Sequence, residues 1–179
     1  MVIAKILFGQ DNKSFMHDQY PYCCPTCHYA TRQKVNTELK LKKRNYDVSY
    51  TYDGYLIVSE RFRSFCETKA YKTLNFHALN LEPDFFFLEV LDFFSLDYAR
   101  RDVQFIDLCN DCKRYAAVIG ATPSYIEEGF KFRENVFYKS SFDFGSYNRK
   151  SPLIIVGLTM ADELLQEKFK GLYFKDVLE

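Results

Sequence analysis

Four of the six cysteines in this 179-residue chain have the spacing of metal ligands. Cys24-Pro25-Thr26-Cys27 and Cys109-Asn110-Asp111-Cys112 are two Cys-x-x-Cys pairs. A turn of that length aims both sulfurs at one point, and two such turns complete a tetrahedral shell with metal–sulfur bonds of about 2.3 Å. Four thiolates leave no position for water or substrate, so the chemistry predicted for Cys24, Cys27, Cys109 and Cys112 is structural Zn2+ binding. Pro25 stiffens the first turn, as in zinc ribbons. The 81 residues from 28 to 108 far exceed a usual ribbon insert. The fold must therefore bring the knuckles together, or the insert is itself a subdomain. The competing reading is two unrelated thiol pairs or a redox motif. A redox motif should open a helix after a buried strand, and Pro21-Tyr22-Cys23-Cys24-Pro25 does not have that form. Cys23 could replace Cys24 as a ligand, and His17 and His28 lie near enough to substitute; loop neighbours is the simpler reading of each.

Other reactive types do not assemble into a recognisable set. The chain has no Gly-x-Gly-x-x-Gly or Walker loop and no Gly-x-Ser-x-Gly elbow. His17, His28 and His77 are not at dyad or metal spacing. Cys66 falls on the apolar face of an expected helix and reads as a core residue rather than as a nucleophile paired with His77. Glu127 and Glu128 are adjacent, which suits a solvated turn better than a shared substrate. No catalytic residues are assigned. Residues 32–44 carry six basic side chains against one acid, a pattern able to meet phosphates. Leu39 and Leu41 alternate with Lys40 and Lys42, which predicts a half-buried strand with a solvated lysine face. Lys plus Arg equals Asp plus Glu at 24 each, so no global charge draws the chain to nucleic acid or anionic lipid.

The elements that must position the cysteines read mostly as short strands. Hydrophobic residues make up 47% of the chain, enough for a core and against disorder. Aromatic residues make up 18%, all Phe and Tyr, so rings supply much of the packing. Residues 2–8 read as a first strand rather than a signal peptide, and no window is long and apolar enough to span a membrane. A cytoplasmic location is expected, where paired cysteines more often bind metal than form disulfides. The second pair lies between two apolar stretches, giving strand, knuckle, strand. Residues 55–58 predict a strand, Ser59 an N-cap, and residues up to about Lys69 a helix with Phe62, Phe65 and Cys66 inward. Residues 74–79 alternate like a strand. The same order recurs at residues 153–156, at about 159–168, and in a strand opening at Leu172, with Gly171 as the helix C-cap. A shift of 98 aligns Ile57 with Ile155, Val58 with Val156, Lys72 with Lys170, Leu74 with Leu172 and Phe76 with Phe174. The choice is between a duplicated strand-helix-strand unit and shared patterning. No low-complexity linker interrupts the chain. Together these signs predict a single α+β domain over residues 1–179, with a mixed or antiparallel sheet, few short helices and an embedded zinc-ribbon-like knuckle pair.

The two knuckles, the segment Tyr55-Leu56-Ile57-Val58-Ser59-Glu60-Arg61-Phe62, the stretch Phe142-Asp143-Phe144-Gly145-Ser146 and the ending from Ile154 to Phe174 resemble bacterial double-CxxC proteins. That group is similar to immunity-type proteins encoded beside polymorphic toxins. The resemblance implies a non-enzymatic, zinc-stabilised binding protein whose partner is a cognate toxin. It implies no particular binding residues, because immunity proteins bind through variable surfaces. His28 and Lys113 stand where such families often place Gly after the second cysteine. The alternative expectation is a zinc-ribbon nucleic-acid-binding module using residues 32–44.

Overall fold

The computed structural model describes residues 1–17, 19, 22–31 and 34–179. In chain order the first half contains β1 (Val2–Phe8), β2 (Gln10–Asp11), β3 (Val48–Tyr50), β4 (Leu56–Ser59), α1 (Glu60–Thr68), β5 (Leu74–Leu79) and β6 (Glu82–Val90). Then come β7 (Asp92–Phe94), α2 (Tyr98–Arg101), β8 (Gln104–Leu108), β9 (Tyr115–Ile119) and β10 (Ser124–Tyr125). The chain closes with β11 (Tyr138–Ser146), β12 (Arg149–Gly157), α3 (Leu158–Gln166) and β13 (Tyr173–Leu178). The described residues are mostly β, with three short helices and two mixed sheets. The larger sheet runs β10-β13-β1-β12-β11-β9-β8, with β7 parallel beside β11. The smaller runs β2-β3-β4-β6-β5.

Period-2 alternation decides which way each strand faces. Leu56 and Val58 of β4, and Ile154 and Val156 of β12, turn into a common core. There they meet Phe62 and Cys66 of α1 and Met160, Ala161 and Leu164 of α3. Both sheets and both longer helices thus share one apolar centre. The intervening residues point the other way: Ile155 joins a second cluster with Ile6, Phe94, Val118 and Tyr138. Ile57 joins a third with Phe85, Phe87, Tyr55, Met16, Leu39 and Leu41. The last three of these come from the irregular segment between β2 and β3, which covers the outer face of the smaller sheet. Leu39 and Leu41 are buried and Lys40 and Lys42 exposed, as alternation requires, but the described part of 32–44 forms no strand. Its backbone is held by side chains instead: the Glu82 carboxylate accepts the Leu41 N–H (2.7 Å) and the Ser14 hydroxyl the Lys42 N–H (2.9 Å). At the start of the same irregular segment, Asp53 accepts the N–H groups of Met16 (2.8 Å) and His17 (3.2 Å). Arg32 lies outside the described residues.

The 98-residue repeat is visible in the backbone. Both α1 and α3 span nine residues at that offset, preceded by Ser59 and Gly157 in extended conformation. After each helix the chain turns through a left-handed residue, Ala70 and Lys168, both at φ 52°, and again at Thr73 (φ 67°) and Gly171 (φ 88°). Gly171 is therefore not the helix cap, which is Glu167; it lies in the following turn, where a Cβ would meet the Val48 carbonyl at 2.4 Å. The closing strand accordingly begins at Tyr173, one residue later than expected. In each copy the helix joins two strands that flank a third antiparallel to both, a split β-α-β unit. That central strand is β6 in the first copy, while in the second it is β1, from the opposite end of the sequence. Residues 1 and 179 meet there, with the Glu179 N–H donating to the Met1 carbonyl at 3.0 Å.

Candidate metal centre

Each knuckle is a tight hairpin with the same bonds. The Cys24 N–H donates to the Tyr29 carbonyl and the His28 N–H to the Cys24 carbonyl, both at 2.9 Å. In the second knuckle the Cys109 N–H donates to the Arg114 carbonyl and the Lys113 N–H to the Cys109 carbonyl, again at 2.9 Å. The residue after each second cysteine takes the left-handed conformation, His28 at φ 60° and Lys113 at φ 58°. This is the position that favours Gly, and here a side chain is tolerated because the hairpin geometry requires that turn. The second knuckle joins β8 to β9, the predicted strand-knuckle-strand order. The first is carried by the irregular segment between β2 and β3, closed by the Cys23–Ala30 bridge.

The fold brings the two hairpins face to face. The four sulfurs of Cys24, Cys27, Cys109 and Cys112 all lie within 4.8 Å of one another. The cross-knuckle separations are 3.9 Å for Cys24–Cys109 and 3.6 Å for Cys27–Cys112. Metal–sulfur bonds of about 2.3 Å in a tetrahedron require sulfurs about 3.8 Å apart. The donor set and its spacing therefore fit zinc. All six cysteines are free of disulfides, and Cys24 and Cys109 are buried. Among the described residues the cluster contains no other candidate ligand. Cys23 is exposed and outside it; His17 sets its ring edge-on against Tyr55.

Backbone donors polarise the site. The N–H groups of Cys27 and Thr26 point at the Cys24 sulfur and pull its thiol down to about 7. Those of Cys112 and Asp111 lower Cys109 in the same way. Burial raises the second cysteine of each pair, Cys27 to about 12 and Cys112 in the same direction. The two knuckles thus repeat each other electrostatically as well as geometrically, with one sulfur of each pair prepared as a thiolate acceptor.

Contacts not foreseen from spacing hold the first knuckle in place. The Thr26 hydroxyl donates to Asp111, and Arg114 Nη2 donates to the Thr31 carbonyl at 2.9 Å. The β11–β12 turn also contributes. Asn148 Oδ1 accepts the Ala30 N–H at 2.7 Å, and the Tyr29 and Tyr147 rings lie 5.9 Å apart. Lys150 donates to the Tyr115 carbonyl, with its ammonium 5.5 Å from the Tyr29 ring centre. Nothing in the spacing of these residues marks them, since they come from three separated segments. Only the repeated position two residues after each second cysteine, Tyr29 and Arg114, could have signalled a shared role.

The remaining candidates stay apart from this centre. Cys66 is buried in the common core, and burial holds its thiol far above the ordinary range. His77 lies in β5 on the Phe87 ring, with Nε2 2.8 Å from the Glu89 carboxylate. Glu127 and Glu128 are exposed. Within the basic segment, Arg44 forms a two-pronged ion pair with buried Glu82 (2.5 and 2.7 Å), and Lys43 lies over Tyr46. No helix among the described residues is long and apolar enough to cross a membrane.

Fold and centre together define a mostly β protein with a zinc-ribbon-like four-cysteine knuckle. The chain matches no protein-family model and no curated protein.

Proposed function

We propose that the protein is a non-enzymatic binding protein stapled by a structural zinc ion, and that it acts by occupying a protein partner, as an immunity protein occupies its toxin. The observation that carries the metal half is the four-sulfur cluster, whose separations match a tetrahedral zinc shell. Cys24, Cys27, Cys109 and Cys112 would hold the ion. When bound, it supplies cross-linking rather than reaction chemistry, because four thiolates close the coordination sphere. The partner half rests on the resemblance to double-CxxC immunity-type proteins. It is supported by the exposed side chains of Tyr52, Tyr173 and Arg149, the last over the Phe15 ring; Tyr and Arg are enriched in protein-binding hot spots.

Purified protein is expected to hold about one zinc per chain, with Cys109→Ser losing it. Less than half a zinc per chain, or full retention by that variant, overturns the metal reading. For the partner, co-expression with the toxin-like product of a neighbouring gene should restore growth and capture the complex. Failure of both overturns the immunity reading. A DNA or RNA shift weakened by salt and by charge reversal at Lys42 and Lys43 would replace it with nucleic-acid binding.

A further inference from the structure

We propose that Arg114 and Lys150 form a cationic outer shell that balances the charge of the metal-loaded sulfur site. This rests on the zinc reading above. A divalent ion held by four thiolates carries a net charge of two negatives, which must be compensated where water is partly excluded.

The geometry places both cations at the seam of the two knuckles. Lys150 comes from β12, outside either hairpin. Its ammonium is held between the Tyr115 carbonyl, three residues beyond Cys112, and the face of Tyr29, two residues beyond Cys27. Arg114 follows Cys112 by two residues and reaches across to Thr31 of the first knuckle at 2.9 Å. Both line one cleft of about 340 Å³ together with Cys112 and Asp143. Neither is exposed, and among the described residues neither forms an ion pair with a carboxylate.

The local charge balance has a surplus that the metal centre would remove. Asp143 is a half-buried acid lining the same cleft, and it lies in the field of three cations, Arg114, Lys150 and Lys139. Burial and then Arg114 push the Lys150 ammonium below its ordinary range; Asp143, Cys112 and Cys27 oppose that. Asp107, Asp111 and Lys113 also edge the site but are exposed, where solvent screens them. A half-buried lysine and arginine without a carboxylate of their own would be costly in isolation. Beside a dianionic sulfur centre they stabilise the thiolate form and hence metal binding, in the way outer-shell groups tune metal sites.

Zinc affinity of the full chain, measured by competition with a chromophoric chelator, tests this. Lys150→Met keeps the aliphatic stem and removes the charge; Arg114→Gln does the same for the second cation. Each is expected to weaken zinc about 10-fold or more, and Lys150→Arg to restore it. The sulfur-to-metal charge-transfer band of the cobalt-substituted protein should shift in the neutral variants, which a merely supportive role would not cause. Lys175→Met, on β13 away from the site, serves as control. Neutral variants that bind zinc within twofold of wild type with an unmoved band overturn the proposal. So does inorganic phosphate or acetate binding in the cleft through Lys150, which would make the cations ligand receptors. Absence of zinc from wild-type protein is a different result, and overturns the parent reading instead.

Discussion

At the scale of single residues, two buried carboxylates do work that the four cysteines cannot. The cysteines lie at one point of the long segment between β2 and β3; elsewhere in it Asp53 accepts the N–H groups of Met16 and His17, and Glu82 that of Leu41 together with the Arg44 guanidinium. Glu82, at the start of β6, has a side chain only 4% exposed and receives Arg44 as well as the Leu41 N–H. The Arg44 hydrogen bonds, the largest influence, hold its carboxyl below the usual 4.5. A carboxyl lowered in the folded state stabilises fully above its unfolded value and loses that contribution as pH falls through the folded one. Glu82→Gln should therefore cost about 1–3 kcal/mol at neutral pH, because it weakens charged hydrogen bonds in a buried setting. The gap between variant and wild type should narrow as pH drops below about 4.5, read from urea midpoints at pH 7 and pH 3.5. A gap independent of pH would show that the carboxylate charge is not what anchors the segment. The sulfur ligands were legible because ligand chemistry dictates their spacing within each turn. Glu82, Asp53, Arg114 and Lys150 were not, because a charged residue announces no partner until the fold supplies one.

At the scale of elements, the knuckle hairpins show how strongly a turn can override side-chain preference. His28 and Lys113 occupy the left-handed region at nearly identical angles, at an intrinsic cost of about 1 kcal/mol each. His28→Gly and Lys113→Gly should each raise the stability of the zinc-loaded protein by about that amount, seen as a higher thermal midpoint with zinc content unchanged. A lower midpoint would mean that the side chains repay the strain by contacts of their own. The strands and both longer helices were readable from periodicity and from the Ser59 cap, which the structure shows accepting the Phe62 N–H. The segment through Leu39 and Leu41 was readable only in part. Alternation predicted which side chains are buried, but among the described residues no strand pairs with it, so its N–H groups go to the Asn36 carbonyl, the Glu82 carboxylate and the Ser14 hydroxyl instead of a ladder. The 171–172 boundary failed for a related reason. Glycine is favoured wherever φ is positive, and Gly171 meets that need in the turn after the helix rather than at the helix end.

At the scale of the whole molecule, the two split β-α-β units are packed helix-inward around one apolar centre, and the second borrows its central strand from the beginning of the sequence. Five identities at the 98-residue offset could not distinguish duplication from shared patterning; the matched left-handed turns after α1 and α3 make the repeat a property of the backbone. Because residues 1 and 179 adjoin where the β5–β6 turn sits in the first unit, opening and closing the chain at those two places should be interchangeable. A permutant joined from 179 to 1 by a short linker and opened between Asn80 and Leu81 is expected to fold with the wild-type circular dichroism spectrum and metal content. Loss of cooperative unfolding in that permutant would refute the equivalence of the two units.

The borrowed strand also sets a timetable for synthesis. β1 emerges before every other strand described here, yet among the described residues its partners are β12 and β13, which are translated more than 140 residues later. At about 5–20 residues per second, its apolar residues Ile6 and Leu7 wait on the order of ten seconds for their neighbours. All four sulfur ligands precede β12, so the knuckles can capture metal while the larger sheet is still missing its centre. A bound ion would then tether the early half of the chain to the β8–β9 hairpin and shorten the search that β1 must make when its partners arrive.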